Sequence, residues 1–319
     1  MEPAEILTTV NYYLPPERGG SSALYEIGTV GTRRRKKDPQ TVHVQNVRLQ
    51  DQKFDLDTHG FAFEKHSTTF TDWTDEEKVQ KEYWPQVAAF LKELTGASAV
   101  YIFSNVLRSQ STQEVEEKLR GLPDDAPLVV QSPARFAHID QSYTGAWWTI
   151  DNLCARDPEA VAFGVPTKTK NSRWAIINVW RPLKPVNREP LAVCDARSVR
   201  EEDLQEITFS LDRTKADTGA GYTDVSTESA PKQRPSKLWE VKPNPAHKWF
   251  WPNKQEPDEV LCIKCFDSRM DGRARRAPHT AIVTPWDEGP ARQSIEVRCL
   301  VFWEDQSLER DRNDQMSRL

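Results

Sequence analysis

The 319-residue chain has no run of 18 apolar residues, so no membrane-spanning helix is expected from it. Residues 1–15 lack a charged start followed by an apolar stretch, so no secretory leader is expected. Positive charge is not in surplus. Lys and Arg number 43 against 48 Asp and Glu, which gives a net charge of −5 and argues against a general nucleic-acid binder. Cysteine is scarce and odd in number, five in all, which fits a reducing compartment and predicts a cytoplasmic location without disulfides. Cys262 and Cys265 form a C-x-x-C with no second pair to complete a zinc site. They lie in an apolar strand-like run, where i and i+3 point to opposite faces, so they read as structural. Gly219 and Gly221 make no phosphate loop, because no Lys-Ser/Thr follows and no strand precedes them.

Histidine is also rare, with six in the chain, yet two of them fall into an informative order. His138-Ile139-Asp140 comes first, His279 follows after a long gap, and Arg292-Gln293-Ser294 begins 13 residues later (292 − 279). On a strand, residues i and i+2 share a face, so His138 and Asp140 can grip one metal while Ile139 turns away. Two imidazoles and one carboxylate make the facial triad that suits ferrous iron with open positions for a cosubstrate and O2. Arg292 and Ser294 repeat the i, i+2 device, and their guanidinium and hydroxyl match the far carboxylate of 2-oxoglutarate. A His-x-Asp alone carries little weight, since ordinary strand-end histidines produce it by chance. The whole ordered set is far more specific.

The flanking segments read as strands of a jelly roll. Leu128-Val129-Val130 precedes the pair, and residues 174–180 and 259–266 are rich in β-branched and aromatic side chains. In residues 292–301, Ile295, Val297, Cys299 and Val301 form an apolar face that packs outward on the core. Arg292, Ser294, Glu296 and Arg298 form the opposite face, which in a barrel-like sandwich lines a polar interior. Arg298 is therefore a second candidate for the carboxylate. Asn178 shares a face with Trp180 and is a candidate for the cosubstrate's 1-carboxylate. Asp267 and Ser268 suit either a role in orienting a ligand or a plain Asx turn.

The chain resembles the AsaB/CmcJ-like fungal hydroxylase/desaturase family over most of its length. The resemblance is carried by Phe54-Asp55-Leu56-Asp57-Thr58-His59-Gly60-Phe61, Ala137-His138-Ile139-Asp140-Gln141-Ser142 and Asn178-Val179-Trp180-Arg181-Pro182. It continues in Lys264-Cys265-Phe266-Asp267-Ser268, Ala277-Pro278-His279-Thr280-Ala281 and Arg292-Gln293-Ser294-Ile295. Residues 102–108 depart from the family pattern, which tends to carry a more polar Asp-His stretch before its Arg, so the resemblance does not fix a role for Arg108. The resemblance implies an α+β fold: a double-stranded β-helix (jelly-roll, cupin-like) core with buttressing helices. It also implies Fe(II), 2-oxoglutarate and O2, with a ferryl oxidant, succinate and CO2, and His138, Asp140 and His279 as both the catalytic and the metal-binding residues. The expected substrate is a small secondary metabolite, apolar or aromatic, undergoing hydroxylation, desaturation or ring formation. No nucleic-acid or membrane partner is expected, and a homodimer is left open. Two rival functions remain: a non-catalytic small-molecule-binding partner of another biosynthetic enzyme, and a cupin-like metalloenzyme that does not use oxoglutarate.

Residues 1–319 read as one domain, with residues 1–70 a β-rich N-terminal extension. Thr74 and Glu77 form a capping box that opens a helix carrying Val79, Tyr83, Val87, Leu91 and Leu94 inward. Pro85 should kink it and Gly96 close it. Asp157-Pro158 starts a short helix, and Ser198 with Glu201 suggests another cap. The basic run 33–37 reads as a solvated hairpin loop. Residues 212–245, rich in Thr, Ser, Lys and Pro, read as a lid or loop insert. His247 reads as an exposed loop residue, and Trp249 and Trp251 are candidates for the substrate wall.

Overall fold

Alternating apolar runs fold into fourteen strands in the computed structural model, which describes residues 3–128, 131–211 and 235–308. In chain order the first seven are β1 (Glu5–Tyr13), β2 (Leu24–Ile27), β3 (Lys37–Asn46), β4 (Phe61–Lys65), β5 (Ala99–Arg108), β6 (His138–Ile139) and β7 (Ser172–Pro182). The rest are β8 (Leu191–Cys194), β9 (Leu204–Leu211), β10 (Ser236–Val241), β11 (Trp249–Trp251), β12 (Glu259–Asp267), β13 (His279–Ala281) and β14 (Ser294–Ser307). They build a nine-stranded sheet in the order β1-β3-β11-β8-β13-β6-β10-β9-β2 and a five-stranded sheet in the order β4-β12-β7-β14-β5. Pairing is antiparallel except for β11 with β3 and β2 with β9. This is the expected α+β jelly roll. Its N-terminal strands are no appendage, because β1 and β3 extend one sheet, β2 closes its far edge and β4 borders the other.

The five-stranded sheet is buried on both faces, and β7 has no exposed residue. Its outer face, with Ile177, Val179, Val297 and Val301, meets Val87 and Leu91 of the helix Trp84–Thr95. Each such fully buried side chain contributes roughly 1.5–3 kcal/mol. The helix differs from expectation at its start. Asp75, not Thr74, caps the first turn by accepting from the Lys78 amide, and residues Val79–Tyr83 form a π-turn ahead of Pro85. The wider turn places Pro85 in the first turn of the following α-helix, where no amide donor is needed. Gly96 closes it at φ 67° as expected.

Other expectations need correction. Of the lid segment 212–245, residues 212–234 lie outside the described residues, as do Val129 and Val130. The remainder contains β10, a strand directly beside β6. The basic run is solvated only in part: Arg34 and Lys36 are exposed, but Arg35 and Lys37 reach the buried Glu240, with Lys37 Nζ at 2.7 Å, and Arg33 donates to Ser132 Oγ at 2.6 Å. A buried carboxylate on a neighbouring strand supplies the counter-charge that a linear reading of the run does not see. Ser198 does not cap a helix; its hydroxyl bonds the Asp195 carbonyl in a 3-10 turn. His247 is buried, stacked on Tyr12 and 3.3 Å from Asp203. Cys262 and Cys265 are free, buried and in separate apolar clusters.

The helix Tyr143–Arg156 follows the His-x-Asp segment, and Ser142 caps it by accepting from the Gly145 amide. Gly145 lies flat against β10, where a β-carbon would come within 2.0 Å of the Lys237 carbonyl oxygen. Gly145→Ala therefore forces the helix away from the strand that supports β6, and should destabilise the fold by about 1–3 kcal/mol. Urea unfolding is the check, and a midpoint unchanged from wild type would contradict the close approach.

Candidate metal centre

The two histidines meet through backbone pairing. His279 on β13 sits directly opposite His138 on β6, their rings 4.4 Å apart. His138 Nδ1 lies 2.8 Å from the Phe136 carbonyl oxygen, and His279 Nδ1 lies 3.3 Å from that of Ala277. A carbonyl only accepts, so each Nδ1 carries the proton and each Nε2 keeps its lone pair. Both Nε2 atoms turn toward Asp140 Oδ1, at 3.4 and 3.8 Å. One ligand atom from each of the three residues falls within 4.8 Å of the others. Two neutral imidazoles and one carboxylate, converging and mostly buried, fit a ferrous ion with positions left for other ligands.

Asp140 is held from the opposite sheet. Its Oδ2 accepts from Asn178 Nδ2 at 2.8 Å and lies 3.1 Å from Arg298 Nη2. Asn178 and Arg298 are themselves cross-strand partners on β7 and β14. Both were expected on the cosubstrate. The structure puts them on the carboxylate ligand instead, fixing its orientation and balancing its charge. Burial acts to raise the Asp140 pKa, but the charge of Arg298 leads the opposing influences, which hold the group well below the usual carboxylate range. Burial pushes His279 down from 6.5 to about 4, with His138 acting the same way and Asp140 opposing.

Farther along the same face of β14, Ser294 is fully buried and its Oγ has no partner. Arg292, just before the strand, stands 5.0 Å from the Trp180 ring and donates from Nη1 to the Glu189 carbonyl at 2.6 Å. Its Nε has no acceptor. Burial, and then the like charge of Arg108, lower its pKa to about 10, so the guanidinium stays charged at neutral pH. Glu189, which sequence reasoning missed, has a left-handed backbone at φ 48° and accepts from Thr112 through its carboxylate. No sequence signal marks it.

Trp249 and Trp251 are not brought to the metal. Phe250 pairs with Val193, which pairs with His279, so Phe250 shares the metal's face and its two neighbours point the other way. Trp249 packs on Tyr12, bonding its hydroxyl at 2.8 Å, and both tryptophans are fully buried in the core. Asp267 and Ser268 also serve the scaffold. Asp267 pairs with Arg173 and Lys264, and Ser268 Oγ accepts the Trp174 amide. Phe136 is stacked on His138 at 4.5 Å between ring centres, with Lys37 Nζ 4.4 Å above it.

Comparison with known proteins gives matches across nearly the whole chain. A family model described as an oxidoreductase/YMDC permease-like domain matches residues 10–302. Among the described residues, no helix is long and apolar enough to cross a membrane. The hydroxylase/desaturase CTB9 of Cercospora beticola is 41% identical over 94% of this chain and 87% of its own length. The alpha-ketoglutarate-dependent dioxygenase phiK of a fungal species is 31% identical over 92% of this chain and 95% of its own. The solved structure of the iron and alpha-ketoglutarate-dependent endoperoxidase NvfI superposes with a TM-score of 0.65 at 27% identity, covering 94% of this chain and 97% of that one.

The low pKa of His279 has a consequence for the metal-free protein. In the unfolded chain this group takes up a proton near 6.5, but in the fold only near 4. The unfolded state therefore binds more protons in that window. Stability from His279 is complete above 6.5 and is lost as pH falls through about 4. His279→Gln should flatten the pH dependence of the melting temperature over this range. A variant as steep as wild type would assign the dependence to other groups.

Proposed function

The chain belongs to the fungal hydroxylase/desaturase family, and on that premise we propose that it is an Fe(II)- and 2-oxoglutarate-dependent oxygenase tailoring a small secondary metabolite. One observation carries the reading. A two-histidine, one-carboxylate cluster sits where the two sheets face each other, and the same fold buries an arginine and a serine with unpartnered donors. Iron with its cosubstrate supplies dioxygen activation coupled to release of succinate and CO2. The chain's own residues do the rest. His138 and His279 offer Nε2 and Asp140 offers a carboxylate oxygen. Arg298 and Asn178 keep that carboxylate ionised and aimed. Arg292 and Ser294 take the distal carboxylate of the cosubstrate through their free donors, and the Phe136 and Phe250 rings keep the metal's face dry.

The Phe136 ring against His138 favours an apolar or aromatic portion of the substrate next to the metal. The names of the relatives cover hydroxylation, desaturation and endoperoxide formation, and the reaction proposed for this chain belongs to that range. A non-catalytic binding role gains no support from a complete triad.

Anaerobic titration with Fe(II), with and without 2-oxoglutarate, tests the reading through the visible charge-transfer band of the chelate. No band with either addition would sink it. His138→Ala, Asp140→Ala and His279→Ala should each abolish iron-dependent succinate formation. Arg292→Ala should keep iron binding but weaken 2-oxoglutarate by an amount equivalent to about 2–5 kcal/mol, the scale for removing one partner of a buried charged pair. Unchanged oxoglutarate dependence in that variant would move the carboxylate elsewhere.

A further inference from the structure

Ser294 does not stand alone on its face. Its antiparallel partner on β5 is Arg108, and paired residues on adjacent strands project from the same face with β-carbons about 4.5–5.5 Å apart. Arg108 Nη1 donates to the Ser132 carbonyl at 2.9 Å, which holds the guanidinium at this end of the interior. Arg108 is also the charge that most strongly opposes Arg292. The acidic groups in range of Arg292 are committed elsewhere. Glu189 binds Thr112, Glu296 lies 3.1 Å from Arg298, and Asp287 accepts from Thr284 and from the Glu189 amide. Arg292 is buried and Arg108 half-buried, and two like charges placed side by side repel, so the arrangement is stabilised when an anion joins them. The unpartnered Arg292 Nε and Ser294 Oγ show where it would be received.

We propose that Arg108 is the second cationic arm of the cosubstrate site, so that Arg108, Ser294 and Arg292 together clamp the distal carboxylate. The assignment rests on the oxygenase reading above and adds a specificity-determining residue to it. Paired guanidiniums select for a dicarboxylate, because a 2-oxo acid ending in a methyl group would leave the buried Arg292 Nε without an acceptor and would not relieve the repulsion from Arg108.

The test uses full-length protein loaded anaerobically with Fe(II) and titrated with 2-oxoglutarate or with 2-oxopentanoate, which has the same chain length without the distal carboxylate. Charge-transfer absorbance is the readout. Arg108→Gln should weaken 2-oxoglutarate by about tenfold or more and leave 2-oxopentanoate within about twofold of wild type. Equal loss with both ligands would mark a general structural defect and overturn the assignment, as would no loss with 2-oxoglutarate. If Arg108→Gln does not fold, Arg108→Lys carries the same comparison, since an ammonium cannot reproduce the guanidinium fork. Wild-type protein with no band from either ligand brings down the oxygenase reading and the clamp with it. A wild-type band with a ligand-independent Arg108 defect brings down the clamp alone.

Discussion

The backbone ladder between β13 and β6 is the constraint from which the metal centre follows. It sets two histidines far apart in sequence directly opposite each other. A one-residue slip of β13 would turn the His279 ring to the other face, away from His138. β13 has only three residues, yet β8 holds it on one side and β6 on the other, so its register is fixed twice. Carbonyl oxygens two residues before each histidine then select the tautomer. The third ligand ties the two sheets together, because Asp140 comes from the larger one and its partners Asn178 and Arg298 from the smaller.

β14 extends the same logic along one strand. Its outward face is apolar and anchors the sheet against the helix Trp84–Thr95. Its inward face changes task with distance from the metal: Arg298 answers Asp140, Glu296 answers Arg298, and Ser294 is left with an unused donor. Arg292, at that far end, likewise keeps an unused Nε donor. The polar interior is thus graded, with a balanced pair near the iron ligands and unspent donors beyond.

Much of this was legible in the sequence, since strand alternation and ordered spacing are local signals. Residues 174–180 and 259–266 fall inside β7 and β12, and the His-x-Asp, distal His and Arg-x-Ser set named the triad and the buried Arg292 and Ser294. What was not legible depends on long-range pairing. Trp249 and Trp251 looked like a pocket wall, but the register of β11 with β8 turns them into the core and gives the metal's face to Phe250. Arg298 looked like a carboxylate binder, and nothing in its own segment shows that Asp140 lies across from it. The basic run at 33–37 looked solvated because Glu240 is distant in sequence. The helix Tyr143–Arg156 escaped notice because its buried positions, Gly145, Ala146, Ile150 and Leu153, include two residues too small to mark an apolar stripe.

The free cysteines bear on durability. Cys194, Cys262, Cys265 and Cys299 are buried without disulfides, and burial pushes all four thiols upward, Cys194 to about 12. Oxidation of sulfur starts from the thiolate, so these groups are kept off the first rung of the sulfenic–sulfinic ladder at physiological pH. A protein that handles dioxygen and iron thereby keeps the sulfur of its core in its least reactive form. Resistance to self-inflicted oxidation is built into the same dry packing that holds the sheets together.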